Sequence, residues 1–230
     1  MRFQPSALRA PFTRAVRPLM DALVRTGVHP NTVTTLGFLV TVSAGLSFFL
    51  DEIRLGGFLV LLGGLFDVLD GYVARASGKA SKFGSFYDST LDRFSEVVVF
   101  LGVFSLYSGS TPELGRPWMV YVVALAMAGS LMVSYTRARA EGLGIESTVG
   151  LMQRPERVLL LGCSAWFFGA WREGVVLTWV MVGMAALTNL TAFYRILWVY
   201  RHTRPAAAPA AAPASRAAPR HSARRERKRA

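Results

Sequence analysis

The sequence predicts an all-α integral membrane protein, with six transmembrane helices preceded by an N-terminal interfacial amphipathic helix. Hydrophobic residues make up 52% of the 230 positions and charged residues only 17%, and the mean hydropathy is +0.36. A soluble core of this size needs less apolar sequence than that. Apolar runs long enough to cross a bilayer, about 17 to 25 residues, recur along the chain, and Lys and Arg gather on one side of them.

The first predicted unit, residues 1–30, precedes the spans and has an amphipathic pattern. Apolar side chains recur at near-helical spacing while the arginines fall mostly elsewhere; the apolar positions are Leu8, Phe12, Val16, Leu19, Leu23 and Val24. This pattern predicts a helix that lies in the membrane interface, with a kink or a break at Pro18. A helix of the soluble type, packed on the rest of the protein, is the alternative.

The second predicted unit, residues 31–201, contains the apolar runs, which are joined mostly by short polar connections. The fifth run is the shortest and is bounded by charge at both ends. The six predicted spans are Asn31–Leu50, Leu55–Ala76, Phe83–Ser108, Pro117–Ala138, Glu156–Trp171 and Val175–Arg201.

The positions of the basic residues predict the orientation of these spans. An even number of spans places both termini on one side of the membrane, and that side carries twenty-one of the 26 Lys and Arg residues. The opposite side carries three, namely Arg54, Arg116 and Arg172. Cytoplasmic loops are enriched in Lys and Arg, so we expect a multi-pass protein of the cell membrane with both termini in the cytoplasm.

The third predicted unit, residues 202–230, is an Ala/Pro/Arg-rich tail. From Arg204 onward it holds eight Lys or Arg and one Glu, so about +7 of the formal net charge of +12 lies there. Such composition predicts disorder. The tail is either a solvated appendage or a segment attracted to anionic lipid. We expect no nucleic-acid partner, because no folded reading surface accompanies the charge.

Four aspartates lie within the second and third runs, where a bilayer penalises charge most. Asp67 and Asp70 are three residues apart and Asp88 and Asp92 are four apart, so each pair shares one helix face. A short connection separates the pairs, and two antiparallel helices would bring them together. Carboxylates in such a group favour Mg²⁺, Mn²⁺ or Ca²⁺, and two such ions would bind a pyrophosphate.

The sequence allows two other interpretations, a structural network of charges and a zinc site. A purely structural network would pair the aspartates with Arg75 and Arg93. A zinc site would need clustered histidines or cysteines, but the three histidines are scattered and Cys163 is the single cysteine. The second possibility is therefore disfavoured.

Small residues accompany the aspartates, and together they form the pattern D-x2-D-G-x2-A-R-x8-G-x3-D-x3-D over residues 67–92. This resembles the signature of the CDP-alcohol phosphotransferases, membrane enzymes that join a CDP-linked donor to an alcohol and release CMP. The resemblance covers roughly residues 7–201. It implies a six-helix membrane fold with a preceding interfacial helix, a homodimer, and a metal-dependent site on the cytoplasmic side.

Roles for individual residues follow from the same resemblance. Asp67, Asp70 and Asp88 would hold two divalent cations, most readily Mg²⁺ with Mn²⁺ as the alternative, and Asp92 would share this set and act as the general base. The CDP donor would be bound by Asp67 together with Pro30, Asn31, Thr32, Val33, Thr34, Gly71, Ala74, Arg75, Ser81 and Gly84. By its residues alone, the segment from Pro30 to Thr34 is a helix start capped by Asn31 or Thr32.

Basic residues of the second half of the chain indicate the acceptor. Arg195 is embedded in apolar sequence, which is costly unless it faces a polar cavity, and arginines suit phosphate recognition. Within the family, S-Y-x-K/R-A-R-A-E at Ser134–Glu141 and R-P-E-R at Arg154–Arg157 look most like prokaryotic phosphatidylinositol phosphate synthases. The resemblance implies an acceptor phosphate bound by Ser134, Arg137, Arg154, Arg157 and Arg195.

The leading hypothesis is transfer of a phosphatidyl group from CDP-diacylglycerol to inositol phosphate, giving phosphatidylinositol phosphate and CMP. The same chemistry with glycerol 3-phosphate or an unphosphorylated alcohol is the first alternative. An ion-coupled transporter or channel is the remote one, because six spans and intramembrane aspartates suit either class.

Overall fold

The computed structural model describes residues 6–110, 115–145, 149–169 and 171–203, without the side chains of residues 6–15 and 110. All regular secondary structure in these ranges is helical. The helices are α1 (Ser6–Arg25), α2 (Pro30–Phe49), α3 (Ile53–Ala76), α4 (Lys82–Ser105), α5 (Pro117–Gly142), α6 (Arg154–Cys163) and α7 (Trp171–Thr203). The prediction of a disordered tail concerns residues that lie almost entirely outside these ranges.

Four helices are long and apolar enough to cross a membrane: α2, α3, α5 and α7. Helix α4 has 24 residues, but its first fifteen residues include the charged side chains of Asp88, Asp92 and Glu96. Helix α6 has 10 residues and continues into a π-helical segment, Ser164–Phe168. The predicted all-helical membrane class is therefore confirmed, with four candidate spans among the described residues. That α4 and α6 also cross the membrane stays a prediction.

Helix α1 runs through Pro18 as one element, so the predicted break does not occur. Its second half packs on the protein, where Met20 is 1% exposed and contacts Val33 and Leu69. The hydroxyl of Tyr72 donates a hydrogen bond of 2.8 Å to Asp21 Oδ1. One side of α1 is therefore attached to α3.

The bundle is built by α2 packing on α3 and α4, and by α5 packing on α7. Helix α6 and the segment after it pack on α3. A Cβ placed on Gly102 of α4 would collide with the carbonyl oxygen of Gly45 in α2. Two glycines at this crossing therefore let the α2 and α4 backbones touch, which is how membrane helices often pack.

The connection from α3 to α4 lies at the same end of the bundle as the start of α2. Lys79 Nζ donates to the carbonyl oxygen of Gly27 at 3.0 Å and so ties this connection to the turn between α1 and α2. Ser81 caps α4, because its Oγ accepts from the backbone N–H of Gly84 at 2.9 Å. These contacts fix the relative position of the helices that carry the aspartates.

Helix α7 has an irregular first turn. Arg172, Glu173 and Gly174 have φ angles of 47°, 56° and 66°, in the left-handed region. Regular right-handed helix therefore begins after Gly174, at the residue where the sixth apolar run was predicted to start.

Candidate functional site

Three of the four predicted aspartates meet between α3 and α4. Asp67, Asp88 and Asp92 each offer a carboxylate oxygen within 4.8 Å of the others. Asp70 is directed to a different neighbour: it is 4% exposed, and its Oδ2 accepts a hydrogen bond of 2.7 Å from Thr34 Oγ1. The sequence predicted that all four aspartates converge. Three of them do so, and the fourth, Asp70, is hydrogen-bonded to Thr34 of α2.

The guanidinium group of Arg154 lies between two of these carboxylates. Its Nη1 contacts Asp67 Oδ2 on α3, and its Nη2 is 2.6 Å from Asp92 Oδ1 on α4. Arg93 is a second cation close by, with its Nη2 3.6 Å from Asp92 Oδ2. Arg154, predicted as an acceptor ligand, is therefore seen as a counter-ion of the carboxylates.

The three carboxylates suit a hard divalent cation. Mg²⁺, Mn²⁺ and Ca²⁺ take oxygen ligands, and carboxylates are the strongest of these. Like charges held this close repel one another unless a cation lies between them, and the position of Arg154 shows that a positive group fits there. The described residues thus include a site whose donor set fits the predicted metal.

Several of the residues predicted to bind the CDP donor lie beside Gly84 and Gly71. A Cβ on Gly84 would lie 3.3 Å from Asn31 Oδ1 and 3.1 Å from Ser81 Oγ, so the start of α2 approaches the first turn of α4. A Cβ on Gly71 would lie 3.2 Å from the guanidinium of Arg75, which therefore folds back over its own helix. Because both glycines lack a Cβ, their backbone is accessible next to these polar side chains.

The start of α2 differs from the prediction in one detail. The cap is His29, whose Nδ1 accepts from the backbone N–H of Asn31 at 3.2 Å, and neither Asn31 nor Thr32 has that role. The reason is Pro30, which takes the first helical position because it lacks an N–H. Of the remaining predicted donor residues, Pro30 and Val33 are buried, Thr32 is exposed and Ala74 is half-buried.

Two predicted acceptor arginines are buried and hydrogen-bonded to the protein. Arg157 is 3% exposed; its Nε donates to Glu96 Oε1 at 2.8 Å and its Nη1 to the carbonyl oxygen of Met152 at 3.1 Å. Arg195 is 2% exposed and donates from Nε to the carbonyl oxygen of Val149 at 2.8 Å. A second donor of Arg195 binds the carbonyl oxygen of Val133 on α5.

The other predicted acceptor residues have local partners. Arg137 is exposed and pairs with Glu141 one turn along α5 at 2.8 Å, and Ser134 Oγ donates to the carbonyl oxygen of Ser130 at 3.2 Å. The charges of Arg137 and Arg157 both act on Arg195. Arg137, Arg157 and Arg195 therefore form a positive region, in which Arg157 lies one helical turn from Arg154.

Glu96 is a site residue that the sequence reasoning missed. Its Oε1 holds Arg157, while its Oε2 is buried without a hydrogen-bond partner among the described residues. Glu96 also lines a partly open cavity of about 40 Å³, together with Arg154 and Arg157; a cavity of this size holds one or a few waters. The sequence contains a pattern that could have identified Glu96, because it follows Asp92 by one helical turn on the same face.

Comparisons with known proteins show the family and the fold to which this chain is similar. A family model described as CDP-alcohol phosphatidyltransferase matches residues 27–190. An archaetidylinositol phosphate synthase from Pyrococcus horikoshii is 35% identical over 180 residues, covering 76% of this chain and 90% of that protein.

Two solved structures of phosphatidylinositol phosphate synthase from Mycobacterium tuberculosis share the fold at 30% identity. The one with CDP-DAG bound has a TM-score of 0.72 and covers 81% of this chain and 94% of that chain. The one in complex with manganese and citrate has a TM-score of 0.71 and covers 80% of this chain and 88% of that chain.

Proposed function

Because the chain belongs to the CDP-alcohol phosphatidyltransferase family, we propose that it transfers the phosphatidyl group of CDP-diacylglycerol to a hydroxyl of inositol phosphate, releasing CMP. The observations that support this most are the acidic cluster of Asp67, Asp88 and Asp92 and the burial of two arginines, Arg157 and Arg195. Such a site combines metal-assisted phosphate chemistry with recognition of a second anion. The names of the relatives agree with this proposal, since each names a lipid product that carries inositol phosphate.

The acidic residues would hold two divalent cations, Mg²⁺ in the first place and Mn²⁺ as the substitute. Asp67, Asp70, Asp88 and Asp92 form the proposed ligand set, and manganese in a structure of a relative supports it. When bound, these ions neutralise the pyrophosphate of the donor and stabilise the charge on the departing CMP. Asp70 would join the set by exchanging its hydrogen bond with Thr34.

Asp92 would act as the general base. It lies one turn from Asp88 on α4 and faces the basic side of the site, where the acceptor would enter. A carboxylate there takes the proton of the attacking hydroxyl. The donor nucleotide would lie over Gly71 and Gly84, between Asn31 and Arg75, where the backbone is open.

The acceptor phosphate would bind at Arg157 and Arg195, with Ser134, Arg137 and Arg154 contributing from the rim. Buried guanidinium groups bind phosphate strongly because little water competes. Both buried arginines already have backbone carbonyl partners, which fix their orientation. The same arginines would also accept glycerol 3-phosphate, so the acceptor must be tested directly.

The remaining features of the proposal concern the membrane. We place α4, together with α6 and its π-helical continuation, across the bilayer with α2, α3, α5 and α7, giving six spans within residues 31–201. Helix α1 would lie at the surface with its exposed arginines toward lipid head groups. Both termini and the site would be cytoplasmic, and residues 202–230 would form a separate tail. The enzyme would act in the cell membrane as a homodimer.

The test of the proposed function is an acceptor panel with purified full-length protein and CDP-diacylglycerol. We expect CMP release with inositol phosphate, and at least about a hundredfold lower kcat/KM with inositol itself, because a site built for a polar group rejects an analogue that lacks it. Glycerol 3-phosphate should be at least about tenfold poorer, which corresponds to roughly 1.4 kcal/mol. Robust CMP release with glycerol 3-phosphate and none with inositol phosphate would replace the proposed acceptor.

Glu96 gives a second test of the acceptor site, as the residue that positions Arg157. We expect Glu96→Gln to raise KM for inositol phosphate by about tenfold with little change in kcat, since truncating one partner of a buried charge pair weakens its hold on the other. Glu173→Gln is the matched control, because Glu173 pairs with Arg116 at 3.4 Å and is largely exposed. An unchanged KM, or a loss confined to kcat, would contradict this role of Glu96.

A further inference from the structure

Arg154 occupies the position between α3 and α4 that a bound cation would take. It is the first residue of α6, far in sequence from the aspartates, yet its guanidinium group contacts both Asp67 and Asp92. We propose that Arg154 is an exchangeable counter-cation: it joins the two carboxylates when no divalent cation is bound and leaves them when one binds. This inference rests on the proposed function, because it takes the acidic cluster to be the metal site.

Arg154 and a divalent cation compete for the same oxygen atoms. Arg154 donates to Asp67 Oδ2 and lies 2.6 Å from Asp92 Oδ1, and a lone pair that accepts a guanidinium N–H is not free to bind a metal. The charges give the same result. Three carboxylates balance one divalent cation with charge to spare, but once Arg154 has neutralised one of them, less attraction is left for a metal.

Among the described arginines near the aspartates, Arg154 is the one that joins two helices. Arg93 follows Asp92 directly and reaches only that carboxylate, at 3.6 Å. Arg157, one turn after Arg154, is held away by Glu96 and the carbonyl oxygen of Met152. Arg154 thus links α3 to α4 through α6, and releasing it removes a contact that no other described arginine makes.

On leaving the carboxylates, Arg154 would move toward Arg157. Its side chain is 22% exposed and begins at the first residue of a helix, so a change in its side-chain torsions alone carries the guanidinium group toward Arg157. Two guanidinium groups repel each other unless an anion lies between them. The movement is therefore favoured when the acceptor phosphate is present, and Arg154 would couple cation binding to acceptor binding.

Direct binding of Mn²⁺ to purified full-length protein tests this proposal without reference to turnover. We expect Arg154→Gln to bind Mn²⁺ on the order of tenfold more tightly than the unmodified protein, within the usual range of coupling between two sites. Arg154→Lys should fall between them, because a single ammonium group keeps the charge but does not bridge both carboxylates. Arg139→Gln is the matched control, since Arg139 is an exposed arginine of α5, and it should leave Mn²⁺ affinity unchanged.

A measurement on the unsubstituted protein keeps the proposal testable if a variant does not fold. Phenylglyoxal modifies accessible arginines, and peptide mass spectrometry resolves the extent at each position. Modification of Arg154 should be several-fold faster in Mn²⁺ than in chelator, while that of Arg139 stays the same. Equal rates at Arg154, or an Arg154→Gln affinity equal to or weaker than that of the unmodified protein, would overturn the proposal.

The same measurements distinguish a failure of the Arg154 exchange from a failure of the proposed function. If the protein binds Mn²⁺ and makes phosphatidylinositol phosphate but Arg154 shows neither effect, the exchange of Arg154 is wrong and the proposed function stands. If the protein binds no Mn²⁺ and releases CMP without any divalent cation, the metal site is wrong and the exchange is wrong with it.

Discussion

Replacing Asp92 with asparagine lowers the rate of CMP release by at least about a hundredfold, and up to about ten-thousandfold, the range that a positioned general base contributes. Asparagine keeps the shape of the side chain but does not accept a proton from the attacking hydroxyl. Binding of CDP-diacylglycerol should change little, because Asp67 and Asp88 still offer their carboxylates. The measurement is single-turnover CMP release together with equilibrium binding of the CDP-linked donor.

Glu52→Gln serves as the control for this substitution. Glu52 is an exposed carboxylate before α3, at the end of the helix away from Ala76, and its side chain makes no capping hydrogen bond. It should retain full activity. If Asp92→Asn released CMP at the rate of the unmodified enzyme, Asp92 would not be the base, and its place beside Arg154 would be purely structural.

Removing divalent cations reduces CMP release to background, and adding Mg²⁺ or Mn²⁺ restores it. Without a cation the pyrophosphate of the donor meets three carboxylates that repel it, and the charge that develops on the departing CMP has no metal to stabilise it. The measurement is turnover after chelation and again after titration with each ion.

Circular dichroism controls for unfolding in the same experiment. We expect helix content to be unchanged after chelation, because Arg154 still joins Asp67 to Asp92 in the absence of metal. Undiminished turnover after thorough chelation would contradict the metal-dependent mechanism, whatever the state of the helices.

Features set by local sequence were predictable. The spacing of Asp88 and Asp92 placed them on one helix face, and the short connection after Ala76 brought that face to Asp67. The apolar runs that became α2, α3, α5 and α7 follow from hydropathy alone, because their charged residues lie near the helix ends apart from Asp67, Asp70 and Arg195. Pattern and period determine these features.

Features set by pairing across the bundle were not predictable. Arg154 and Asp67 are 87 residues apart, and Arg157 and Glu96 are 61 apart. The sequence shows that these groups are charged but not which partner each one meets, because the partner depends on how α6 packs on α3 and α4. The sequence therefore identified Arg154 as a functional residue and assigned it to the acceptor, whereas the folded chain places it on the carboxylates.

The contact between Gly45 and Gly102 has a consequence for the dimensions of the site. Gly102 is ten residues beyond Asp92 on the same helix, a distance of about 15 Å at 1.5 Å per residue. In a bilayer, lipid chains are as apolar as the helices, so the hydrophobic effect does not drive helices together. The backbone contact between Gly45 and Gly102 therefore limits how closely α4 approaches α2. The spacing of the proposed metal ligands on α3 and α4 therefore depends in part on a backbone contact deep in the bundle, whose position does not depend on the rotamer of any side chain.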